Sequence, residues 1–126
     1  MMNFEWGNFL EFAIFLQDNH PDEMRESALR TAVSRAYYAG YHHVEEWFEN
    51  EKKKGHKPPD LPLGHSKHSA QIRRLKQYNR YAASTILNST RLLRNSCDYE
   101  LFIEGDLVFI TKDVIAQIQK LIDILS

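Results

Sequence analysis

Between Glu23 and Glu51 the chain contains no proline, and Ala28, Ala32, Ala36 and Gly40 recur at every fourth residue. No other feature narrows the fold as far. Such a run predicts a helix about 40 Å long, with one ridge of small side chains that another helix can approach closely. Val33, Tyr37, Val44, Trp47 and Phe48 place bulk beside the ridge. Gly40 costs about 1 kcal/mol relative to alanine inside a helix, and close packing is the expected compensation.

The flanking segments carry the same period. Phe4, Phe9, Phe12, Phe15 and Leu16 follow three- and four-residue spacings, which predicts a first helix over 4–18. Asn19-His20-Pro21-Asp22 breaks it, and Asp22 is the candidate N-cap of the long helix. Lys52 to Gly64 holds Gly55, Pro58, Pro59 and Pro62 and reads as a loop. Ser66 or Ser69 is placed to cap a third helix to about Tyr78, and a fourth runs from about Arg80 to Cys97. Phe102 to Ile110 reads as irregular, with Leu107-Val108-Phe109-Ile110 a candidate short strand. Thr111 is the expected cap of a last helix bearing Val114, Ile115, Ile118, Leu121, Ile122 and Leu125. The sum is one all-α domain over 1–126, an up-and-down bundle of four to five helices with one long second helix.

Composition removes several classes of function. Sixteen basic residues against seventeen acidic leave a net charge of −1, which argues against a surface coated in positive charge for bulk nucleic-acid binding. A single cysteine, Cys97, excludes a disulfide framework and a four-cysteine zinc site, and a reducing cytoplasm is the expected setting. The acidic N-terminal region does not read as a signal peptide, and no apolar run approaches the roughly 20 residues of a membrane span. No Glu has a His three residues later and there is no His-Glu-x-x-His, so no metal site is expected. His20, His56 and His68 read as solvated or capping. The basic groups Lys52–Lys54 with His56 and Lys57, and Arg73, Arg74, Lys76 and Arg80, read as an exposed loop and a solvated helix face rather than as a phosphate-tracking surface.

Two helix faces can carry chemistry. Arg35, Tyr38, His42 and Glu46 share one side of the long helix. Arg91, Arg94, Asn95 and Asp98 share a side of the fourth. Brought together, they make either a structural ion-pair network, such as Arg35 with Asp98, or a cleft in which guanidinium groups grip a phosphate.

At these segments the chain resembles the HEPN superfamily, the higher eukaryote and prokaryote nucleotide-binding domains, and in particular its small stand-alone prokaryotic members. The matching parts are Ser34-Arg35-Ala36-Tyr37-Tyr38 with Tyr41-His42, then Gly64-His65-Ser66, then Leu92 with Arg94-Asn95 and Asp98-Tyr99. The similarity spans about 23–125. It implies a helical homodimer that binds RNA or a nucleotide, needs no cofactor or metal, and pairs as a toxin-like protein with a nucleotidyltransferase antitoxin. Many such relatives are metal-independent endoribonucleases, with an Arg, a polar residue and a His at the dimer cleft. The resemblance makes Arg94, Asn95 and Tyr99 the candidate catalytic set, with Tyr99 standing where the family has its histidine. A free phenol, with an ordinary pKa of about 10, is a weak base at neutral pH. His42 or His65 would take over the proton role if the fold sets either beside Arg94. Arg35, Tyr38, His42, His65 and Asp98 are the candidate RNA- or nucleotide-binding set. The other reading is a non-catalytic interaction module whose Arg, Asp and Tyr side chains are structural.

Overall fold

A computed structural model describes residues 5–126. The five helices are α1 (Gly7–Asp18), α2 (Arg25–Lys53), α3 (Lys67–Gln77), α4 (Tyr81–Tyr99) and α5 (Leu107–Ile124), packed as an up-and-down bundle. Among the described residues there is no strand. Phe4, assigned to the first helix by its spacing, lies outside them. No described helix is long and apolar enough to cross a membrane.

The 29-residue α2 is the axis, packed against α1, α4 and α5, while α3 leans on α4. Ala32 and Ala36 on its small ridge are fully buried. At Gly40 α5 approaches closely: a Cβ there would lie 2.7 Å from Ile118 Cδ1 and 3.1 Å from Leu121 Cδ2. Gly40, at the end of the ridge, therefore serves the packing of α5. Tyr37, Phe48, Leu75, Leu87, Ile118 and Leu121 fill the core around it.

Three expectations at helix ends are corrected. Asp22 does not cap α2. After the extended Pro21 it opens a 3-10 turn over Asp22–Met24, closed by Met24 N–H to Pro21 O at 3.0 Å, and α2 starts at Arg25. Leu107–Ile110 is no strand but the first turn of α5, because the Asp106 carboxylate accepts from the Val108 and Phe109 amides at 2.9 and 3.3 Å. Thr111 consequently sits inside α5. Its hydroxyl donates to Leu107 O at 2.8 Å, the back-bonding a mid-helix threonine makes. Ser66 caps α3 as expected, accepting from Ser69 N–H at 3.2 Å.

Two ties hold the site's elements in register. Arg30 on α2 donates to the carbonyls of Cys97, Glu100 and Leu101, satisfying acceptors that the end of α4 leaves open. The loop before α3 is fastened by Arg74, whose Nε donates to Pro59 O at 2.7 Å while its guanidinium covers the Phe48 ring at 4.0 Å. His56 is not merely solvated: it pairs with the buried Glu51 at the end of α2.

Candidate functional site

The two helix faces singled out by spacing do meet, but with a third contributor. α2 presents Tyr37, Tyr38, Tyr41 and His42. α4 presents Arg91, Arg94 and Asp98, and the first turn of α3 adds His68. Arg94 is the hub. It is only 5% exposed, and its guanidinium carbon lies 5.1 Å from the ring centres of both Tyr37 and Tyr38. Its Nη1 donates to Asp98 at 3.3 Å, while its buried Nε has no hydrogen-bond partner among the described residues. Burial works against the charge, but Tyr38, the Asp98 hydrogen bond and Tyr37 outweigh it and hold the Arg94 pKa above its ordinary value. The Tyr faces supply cation–π attraction where water is excluded.

His68 is the residue that spacing missed. Its Nδ1 is 2.7 Å from the Tyr37 hydroxyl, and its ring centre is 4.5 Å from that of Tyr41. Burial, then the charges of Arg94, Arg91 and His42, lower its pKa from 6.5 to about 4, so the imidazole is neutral at neutral pH. Burial pushes the Tyr37 phenol well above its usual range and, with help from Glu45, moves Tyr41 up to about 12. These phenols act as hydrogen-bonding groups, not charges. The earlier reading of His68 as solvated or capping is corrected. Its only sequence signal is its place in the first turn after the Ser66 cap. Nothing along the chain ties it to Tyr37.

The other candidates divide. His42 reaches the cluster through Tyr38, with ring centres 6.1 Å apart. Its Nδ1 is taken by Glu45 at 2.6 Å, and its ring stacks on Trp6 at 3.5 Å. Arg35 forms no ion pair with Asp98, correcting that expectation. Its guanidinium lies over Phe9 at 5.0 Å, and Asp98 bonds to Arg94 and, at 3.5 Å, to Ser34. Arg35 and Asp98 nevertheless border one groove of about 460 Å³ that also takes in Ser27, Thr31 and Ser34. His65 lies exposed in the turn before α3, and Asn95 is half-buried on the neighbouring strip of α4. Tyr99 is 77% exposed at the end of α4.

Cys97 is buried behind the site, and burial lifts its thiol to about 11, so it is a core group rather than a nucleophile. Of the basic surface groups, Arg74 is buried and Arg80 covers Trp47 and Tyr78. Among the described residues no cluster of His, Cys, Asp or Glu side chains is placed to hold a metal ion. No protein-family model, curated protein or solved structure matches the chain.

Proposed function

We propose that the chain is a HEPN-type RNA- or nucleotide-binding protein, a homodimer and the toxin-like partner of a nucleotidyltransferase antitoxin. The observation that carries the binding reading is the Arg94 site. An arginine packed against the rings of Tyr37 and Tyr38, with a second arginine and a neutral imidazole beside it, combines charge for a phosphate with the partly exposed Tyr38 ring as a stacking surface. Arg91, partly exposed and without an ion-pair partner among the described residues, meets the phosphate first. A bound phosphate then competes with Asp98 for Arg94. The homodimer is supported by Leu92, Tyr99, Leu101 and Phe102, all large, apolar and exposed at the end of α4 and just beyond it. The nucleotidyltransferase partner follows from the family resemblance alone.

Titration of the full chain with a labelled single-stranded RNA, and competition with a nucleoside monophosphate, tests the reading. Binding is expected to weaken with salt, and Arg91→Ala is expected to weaken it about tenfold. Absence of binding at low salt would refute it.

One observation favours a second reading, in which the cluster is structural and the protein is a non-catalytic interaction module. Arg94 is buried and already paired with Asp98. That reading expects Arg94→Ala to lower the melting temperature strongly and the wild type to have no affinity for RNA or nucleotide.

A further inference from the structure

We infer that the exposed face of α3, with Arg80 and Tyr81 at its far end, is a track for the backbone of a single-stranded RNA. The track starts at the Arg94 site, so the ligand is a strand of several nucleotides and not a mononucleotide. This rests on the RNA-binding reading above and narrows it.

The chain is nearly neutral, but its charge is segregated. Residues 61–97, which include α3 and most of α4, hold seven of the sixteen basic residues and none of the seventeen acidic ones. The small net charge therefore does not speak against a basic surface on this one layer. α3 buries Ala70, Gln71, Arg74 and Leu75, while Ser69, Arg73 and Lys76 line the opposite side at i, i+4 and i+7. Arg80 follows four residues after Lys76, where Asn79, in the left-handed region at φ 61°, turns the chain into α4. Ser69 adjoins His68, so one end of the strip lies at the Arg94 cluster. From there to Arg80 is about 16 Å at the helical rise, room for about five stacked nucleotides at about 3.4 Å each.

A face that is only solvated gains from carboxylates at neighbouring positions. Lys67, Arg73, Lys76 and Arg80 form no ion pair among the described residues. Lys67 stands in the first turn of α3, where the helix dipole disfavours a cation, and among these four only Lys76 gains from the dipole at the other end. Folding draws little from this placement, whereas a polyanion draws on every member of it. The far end also offers rings. Arg80 lies over Trp47 and Tyr78, at 5.3 and 5.1 Å from the ring centres, which holds its guanidinium in place while the side chain stays exposed. Tyr81 is 57% exposed, and its hydroxyl donates to Asn79 at 2.9 Å, so the ring is anchored where a base can stack on it. Basic groups interleaved with an exposed aromatic ring are what a surface needs to hold a strand through its phosphates and bases together.

The test measures affinity across a series of salt concentrations, using the full chain with a trinucleotide and with a single-stranded RNA of about twelve nucleotides. Two double variants are compared. Arg73→Gln with Lys76→Gln alters the strip, and Lys112→Gln with Lys120→Gln removes the same charge from exposed positions on α5. The wild type is expected to bind the longer RNA at least about tenfold more tightly than the trinucleotide. The strip variant is expected to bind the trinucleotide as the wild type does and the longer RNA about tenfold more weakly. Its slope of log affinity against log salt is expected to be shallower by about 1.4, for two lost phosphate contacts. The α5 variant is expected to keep the wild-type slope. Equal affinity of the wild type for the two RNAs, an unchanged slope in the strip variant, or the same loss in the α5 variant overturns the inference and leaves the RNA-binding reading standing. If the strip variant fails to fold, Lys76→Gln alone decides, with a slope shallower by about 0.7 expected and an unchanged slope contradicting the track. Failure of the wild type to bind either RNA defeats the underlying reading itself.

Discussion

A proton added to His68 must sit in a half-buried ring cluster facing Arg94 and Arg91 on α4 and Tyr37, Tyr38, Tyr41 and His42 on α2. The folded pKa is lowered from 6.5 to about 4, so the unfolded chain takes up the proton first. Stability is therefore full above pH 6.5 and falls as the pH drops from 6.5 towards about 4. Thermal melts across that window are expected to show the fall in the wild type and a flatter curve in His68→Gln. The Arg94–Asp98 pair gives a second prediction. Asp98→Asn leaves a buried guanidinium with ring faces and no carboxylate, and is expected to cost about 1 kcal/mol in urea denaturation, discounted because Asp98 is partly solvated. At this scale the sequence was half legible. Spacing put Arg94 with Asp98 and Tyr38 with His42 on shared helix faces, because those relations are local. It could not pair Tyr37 with His68, which lie 31 residues apart, nor see that Phe9 would occupy the Arg35 guanidinium.

Helices were legible wherever the apolar period ran for several turns, and α2 was the clearest. Ends were less so, because a cap is decided by one side chain and a few amides. The run Leu107–Ile110 is too short for periodicity to separate strand from helix, and Asp106 decides it by capping α5. Asp106→Ala is accordingly expected to destabilise the fold by about 1 kcal/mol, measured by denaturant titration, whereas a strand at 107–110 would predict no cap effect. Gly40 tests the contact between α2 and α5. Alanine gains about 1 kcal/mol of helix propensity there. Its Cβ must displace Ile118 Cδ1, 2.7 Å away, with Leu121 Cδ2 and Ile118 Cγ2 also closer than ordinary contact. Overpacking of that kind costs about 2 kcal/mol, so Gly40→Ala is expected to be less stable than the wild type by about 1 kcal/mol.

In the whole molecule, the bundle gathers its chemistry where the end of α4, held by Arg30, and the start of α3, held by Arg74, flank the middle of α2. Beside it, Leu101 and Phe102 are more than four-fifths exposed, at 81% and 83%. If they form the homodimer contact we propose, light scattering should report a dimer for the wild type and a monomer for Leu101→Ser with Phe102→Ser. A monomeric wild type would contradict the proposed homodimer. The central claim, that the Arg94 cluster is a phosphate site, stands on one measurement above the others. That measurement is the equilibrium affinity of folded wild type and folded Arg91→Ala for a single-stranded RNA, across a series of salt concentrations. The account predicts binding that weakens as salt rises, an affinity about tenfold lower in the variant, and a shallower salt dependence for it. Equal affinity and equal salt dependence for the two proteins, or no binding by either, would contradict it.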